Sequence, residues 1–160
     1  MAAPATTSRS TPSGRIIEDG HSSKIAFARD ADASFWEKIV QAPGVDGGEP
    51  IDITNMHNLK WRTLVPRHLK TLTVFTVQCH YDPVFFSTGG VDNLINQPGA
   101  ITHHFSDGSK LDFFGYMQKF IPAAVQEGDP PMCELTIVPT NYDPTNDVEA
   151  DPVLTSVSGT

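Results

Sequence analysis

The stretch ITHHFSDGSKLDFFGYMQKF, residues 101–120, decides how this chain is read. Two runs rich in β-branched and aromatic residues flank Ser106-Asp107-Gly108-Ser109. Asp-Gly supplies the positive-φ positions that a tight hairpin turn needs. The stretch therefore predicts two antiparallel strands, Ile101–Phe105 and Leu111–Phe120. Toward the C-terminus a second hairpin is expected, Leu111–Ile121 against Met132–Val138, joined by the polar loop Pro122–Pro131. Past Pro139 the sequence is turn-rich and then tail-like.

Working toward the N-terminus, Pro83–Asn96 holds Gly89-Gly90 and suits a short helix from Asp92, stopped by Pro98-Gly99. Leu69–Tyr81 carries Thr71, Thr73, Val74, Phe75, Thr76 and Val77, residues that fit a pleated surface. One long strand is predicted there, ended by Pro83. Lys24–Arg29 alternates, with Ile25 and Phe27 on one face, and predicts a first strand. Ser34–Val40 suits a short helix or a strand, and its β-branched end and the Pro43-Gly44 stop favour the strand. The expected class is mainly β: an antiparallel β-sandwich or barrel with one short flanking helix and extended arms. In domain terms, 1–20 is a flexible arm, 21–146 the β domain and 147–160 a C-terminal arm, with a long loop at 42–69 inside the domain.

That loop joins a Gly-rich acidic piece (Gly47, Gly48, Asp52) to a basic connection, Asn55–His68, with Lys60, Arg62 and Arg67. Loops of this length inside a compact domain usually bind something or order on binding. The net charge is −8, and it is unevenly spread. No acidic residue lies between Asp52 and Asp82, whereas no Lys or Arg follows Lys119 and Glu127, Asp129, Glu134, Asp143, Asp147, Glu149 and Asp151 do. Such a chain does not draw nucleic acid by bulk field. At 160 residues it forms one core. No secretory leader or apolar span of the length a bilayer needs is found, so a soluble protein made in a reducing cytoplasm is expected.

Candidate chemistry is sparse. Cys79 and Cys133 lack metal-ligand spacing and read as reduced core thiols. His103 and His104 are adjacent on a predicted strand, so they point to opposite faces. His80 and Asp82 flank Tyr81, and His57 and His68 lie in the basic connection; none shows zinc spacing. Asp30-x-Asp32 and Asp143-Pro144-x-x-Asp147 lack the Gly and Glu spacing of a calcium loop and suit turns and caps. Gly89-Gly90 lacks a phosphate-loop lysine, and no nucleophile motif is present. No catalytic residue, metal site or cofactor is expected.

Five segments give the chain a family likeness: KIAFARDADASFWEKI, APGVDGGEPIDITNMHNLKWRT, PRHLKTLTVFTV, ITHHFSDGSKLDFFGYMQKF and ELTIVPTNYDPTN. In their order and spacing they resemble the major tail tube proteins of long-tailed bacteriophages with non-contractile tails. The likeness runs from Ser23 to Asn146. It implies a β-sandwich subunit, six to a ring, with rings stacked into the conduit for DNA ejection. Its implied partners are further copies of itself, a tape measure protein, tail terminator and baseplate proteins, and DNA in transit, with no membrane insertion. Its implied location is the virion, after assembly in the host cytoplasm.

On this reading Gly47, Gly48, Asp52, Lys60, Trp61, Arg62 and Arg67 serve inter-subunit and inter-ring contacts with Asp147 and Glu149. Glu37, Asp112 and Glu134 are expected to line the bore. A tail terminator or head–tail connector ring is the near alternative. A glycan- or ligand-binding β-sandwich with Trp36 and Trp61 as its platform is the alternative of a different class, and a metal hydrolase built on His80, Asp82 and His103 comes last.

Overall fold

The computed structural model describes residues 23–30, 35–83, 85 and 90–156. The expected arm 1–20, Asp32 and Gly89 lie outside them. The fold is mainly β with antiparallel pairing and one short helix. A single large sheet holds β1 (Lys24–Phe27), β2 (Trp36–Val40), β7 (Phe75–His80), β8 (Gly99–His104), β9 (Lys110–Pro122), β10 (Met132–Pro139) and β13 (Val153–Thr155). Its strand order is β1-β8-β9-β10-β7-β2, with β13 paired to the start of β9. The Asp107-Gly108 hairpin is present as β8–β9, with Gly108 at φ 86° and its N–H donating to Phe105 O at 3.1 Å.

Period-2 burial builds the core. Ile25, Phe27, Phe75, Val77, Cys79, Ile101, Phe113, Met117, Cys133, Leu135 and Ile137 all turn to one side of the sheet and are buried. Two bulges keep that side apolar where the register shifts. Leu135 faces Phe120 but Ile137 faces Met117, so Gln118 is the extra residue and both Met117 and Phe120 point inward. Likewise Glu37 faces Cys79 and Ile39 faces Gln78, which leaves Lys38 as the extra residue in β2. Bulges increase local twist and curl a sheet.

Here the curl brings the two end strands together. The Ile25 N–H of β1 donates to Glu37 Oε1 of β2 at 3.1 Å, and Phe27 and Phe35 meet edge to face with centroids 5.8 Å apart. The expected mainly-β antiparallel class is present; a side chain spans this seam where a closed barrel would have a backbone ladder, so the main sheet is curled but not closed. Helix α1 (Gly90–Leu94) covers part of the core with Leu94, and Asn96 N–H caps onto Met117 O at 3.0 Å.

The predicted strand Leu69–Tyr81 is broken in two. It divides into β6 (Thr71–Leu72) and β7, because Thr73 is diverted to Gly44: its N–H donates to Gly44 O and its Oγ1 accepts the Gly44 N–H, both at 2.9 Å. The segment read as tail-like also contains structure. β11 (Tyr142–Asp143) pairs with β12 (Val148–Glu149), and β13 lies along β9 at Lys110–Asp112, beside the stretch of β9 that β10 covers.

Candidate interaction arm

The stretch expected to be a loop at 42–69 is a β-arm running from 44 to 73. β3 (Val45–Asp46) pairs with β6 at its base, and β4 (Ile51–Asp52) pairs with β5 (Leu64–Val65) further out. The ladder continues toward the tip through Ile53 N–H to Thr63 O at 3.0 Å. Short polar side chains build the tip, each satisfying nearby backbone groups as Asx-type turns do. Asn58 Oδ1 accepts the Asn55 N–H at 3.0 Å, and its Nδ2 donates to Trp61 O at 3.0 Å and to Thr63 Oγ1 at 2.8 Å. Asp52 Oδ1 accepts the Thr54 N–H at 2.8 Å, and the Thr54 side chain together with this N–H holds the Asp52 carboxyl below its ordinary range.

Hydrogen bonds give the arm its shape, but it has no core. Met56 is 101% exposed, Leu59 95%, Trp61 83% and Leu69 81%, and Val45, Ile51, Ile53 and Leu64 are exposed as well. An isolated two-stranded ribbon is marginally stable in water, and contiguous exposed apolar surface marks an interaction site.

All seven arm residues singled out from the sequence lie on this element. Gly48 takes φ 77° and donates to Asp46 Oδ1 at 2.8 Å; Arg67 lies against it and donates from Nε to Glu49 O at 2.8 Å. Arg62 Nη1 is 3.7 Å from Asp52 Oδ2, an exposed pair within the arm itself. Lys60 and Trp61 are exposed at the tip. Asp147 and Glu149 belong to the separate β11–β12 hairpin, where Asp147 is bonded by the Tyr142 hydroxyl and Tyr142 pairs with Glu149 across the ladder. The Asp147 contact raises the Tyr142 phenol above its ordinary value.

The structure also joins what the sequence keeps far apart. His68, Lys70 and Thr71 at the arm base line a cleft of about 420 Å³ together with Asn141, Glu149 and Asp151. Part of the basic segment therefore faces part of the acidic one within a single chain. Opposite charge was the only sequence signal for this meeting, and it carries no information on which residues meet.

The three candidate bore residues do not share a face. Glu134 is exposed on the outer side of β10, opposite Gln78. Asp112 alternates with the buried Phe113, so it lies on the same outer side, where its Oδ1 accepts from Thr102 Oγ1 at 2.6 Å. Glu37 is opposite the buried Cys79 and is engaged at the β1–β2 seam.

The histidines at 103 and 104 do point apart. His103 is buried with neither ring nitrogen at hydrogen-bonding distance from a partner among the described residues, and burial lowers its pKa. Among the described residues no group of three or more His, Cys, Asp or Glu side chains is placed to hold a metal ion, and no helix is long and apolar enough to cross a membrane. Asp143 serves its turn, accepting from Thr145 N–H at 2.9 Å and from Asn146 Nδ2 at 2.6 Å. Trp36 starts β2 on the outer side of the sheet, whereas Trp61 sits near the arm tip. The chain matches no protein-family model and no curated protein.

Proposed function

We propose that this chain is a virion structural protein, the tail tube subunit of a long-tailed bacteriophage, assembling into stacked hexameric rings that form the conduit for DNA ejection. The arm 44–73 carries the reading. It presents large apolar side chains on an element that cannot bury them against itself. Each such side chain contributes about 1.5–3 kcal/mol when taken fully out of water, and that gain offsets the cost of ordering and association.

The occupant that suits this surface is a second copy of the chain. The arm tip and its return strand carry Lys60, Arg62 and Arg67, while the exposed β9–β10 loop carries Glu127 and Asp129 and the β11–β12 hairpin carries Glu149. Complementary charge of this kind sets register between subunits more than it adds affinity. Around a closed ring the same contact recurs on every subunit, so small terms accumulate. β1 and β2 share no backbone ladder at their seam, so pairing with a neighbour's strand there would remove the remaining edges. A net charge of −8 keeps the chain as a whole from drawing phosphate, while the outer face of the sheet carries both signs, with Lys24, Lys110 and Asp112 around His104 and Glu134 on β10. Tape measure, terminator and baseplate proteins are the further partners of such a tube.

Negative-stain microscopy of the purified protein tests the proposal. Rings or tubes of uniform bore are expected, and removal of 55–63 should leave a folded monomer that does not elongate. A monomer that stays monomeric at high concentration and binds glycans through Trp36 or Trp61 would overturn it. A single ring that never stacks would point to the terminator or connector role.

A further inference from the structure

The two cysteines, 54 positions apart in sequence, are direct cross-strand neighbours. Cys79 on β7 stands opposite Cys133 on β10, both side chains turn into the core, and their sulfurs are 2.9 Å apart. This is closer than two unbonded sulfurs ordinarily sit. Two positions further along the same ladder, Tyr81 N–H donates to Pro131 O at 2.9 Å. Directly opposed residues alternate between hydrogen-bonded and non-hydrogen-bonded pairs, so Cys79 and Cys133 form a hydrogen-bonded pair with an expected Cα separation of about 5.5 Å. That spacing lies inside the range of roughly 4.4–6.8 Å that a disulfide requires.

Access is one-sided and narrow. A space of about 10 Å³ opens onto Cys133 among Phe35, Trp36, Phe85 and Phe120, and Cys79 does not line it. Such a space admits about one water-sized molecule. It excludes a tripeptide disulfide or a bulky thiol reagent.

We propose that Cys79 and Cys133 are an oxidant-closable pair, in which a peroxide reaching Cys133 converts the two thiols into a disulfide tying β7 to β10. The Cys133 thiolate attacks one peroxide oxygen and the O–O bond breaks. Hydroxide leaves, takes up the proton that Cys133 released, and Cys133 becomes a sulfenic acid. The Cys79 sulfur then attacks the Cys133 sulfur and the S–O bond breaks. Hydroxide departs with the Cys79 proton as a second water, and the two thiols have passed two electrons to the peroxide. Burial raises both thiols above their ordinary pKa, so access selects the sulfur that the oxidant attacks, and of the two it is Cys133 that lines the narrow space.

Dilute hydrogen peroxide on the full-length folded protein provides the test. Intact mass should fall by two hydrogens, the peptides holding Cys79 and Cys133 should appear linked within one chain, and dithiothreitol should reverse both changes. Closing this loop should raise the thermal midpoint by about 10 °C. In Cys79→Ala the sulfenic acid has no resolving partner and should be trapped at Cys133 by dimedone, whereas Cys133→Ala should keep Cys79 as a thiol. Oxygen added at Cys133 with Cys79 still alkylatable in the wild-type protein would overturn the proposal. So would a link between chains, or intact thiols in folded protein under peroxide that oxidises the unfolded chain.

Discussion

The curled sheet and the arm are built from the same kinds of residue and meet opposite fates. In β7 and β10, alternation places Phe75, Val77, Leu135 and Ile137 on one buried face. In the arm, Ile51, Ile53, Leu59, Trp61 and Leu64 are as apolar, yet all are exposed. The sheet has further strands on both sides and a second surface to pack against. The arm has one partner strand, and its tip is ordered by Asn, Asp and Thr side chains. Apolar composition therefore does not identify the core here; the number of layers over each strand does.

The largest expected difference comes from truncating one side chain in each region. Leu135→Ala should cost about 2–5 kcal/mol in denaturant unfolding, since Leu135 is fully buried. Trp61→Ala should leave unfolding of the monomer within about 0.5 kcal/mol, because that side chain is exposed, while reducing assembly in sedimentation. Equal losses of monomer stability would erase the contrast.

Gly115→Ala sharpens the sheet side. A Cβ at Gly115 would lie 2.6 Å from Val138 O, a backbone atom of the paired strand β10. All the atoms it would meet are β10 backbone, which has little room to shift, so a loss of about 1–3 kcal/mol is expected. The same change at Gly47, which has nothing within 4 Å of a Cβ, should be nearly neutral in the same thermal melt.

Acid should loosen the sheet before it affects the arm. His103 is held neutral by burial, with its folded pKa below the ordinary value of 6.5. The unfolded chain then binds the extra proton first, so His103's stabilising contribution is fully present above pH 6.5 and falls as pH drops from there toward the folded pKa. His103→Leu should flatten that limb of the stability–pH curve. An unchanged slope would remove His103 from the account.

The charges of the arm should matter little to the monomer. Arg62→Glu together with Arg67→Glu breaks one exposed ion pair and one exposed hydrogen bond, so monomer stability should change by less than about 1 kcal/mol. Tube growth should stop, and Asp147→Lys with Glu149→Lys should partly restore it. Normal assembly of the double charge reversal would make these charges ordinary surface.

Hydrogen exchange gives the comparison a residue-level form. In monomer, amides of 53–63 should exchange fast while Thr76 and Val77 stay protected; in assembled material both should be slow. Fast exchange of the arm in both states would show that nothing covers it.

Local chemistry settled much of the fold in advance. Asp107-Gly108 can turn where other residues resist positive φ, and the polar loop Pro122–Pro131 separates two strand-forming runs. Those signals are contained within a few residues, so β8, β9 and β10 were legible from the chain alone. The helix after Gly90 and the strand ending at Val40 were legible for the same reason, through their Pro-Gly stops. The exposed basic and acidic segments were also visible as composition.

What the tertiary structure alone decided depends on partners distant in sequence. Thr73 breaks a run of perfect strand formers because Gly44, 29 positions away, takes its backbone bond and its hydroxyl. The bulges at Gln118 and Lys38 depend on register against β10 and β7, which no single strand encodes. β13 lies in a stretch whose turn-rich surroundings read as tail, and only the bare edge of β9 gives it a place. Cys79 and Cys133 look like two unrelated core thiols until β7 and β10 align them face to face. Propensity and turn chemistry act within a few residues, whereas pairing register and burial are properties of the whole sheet.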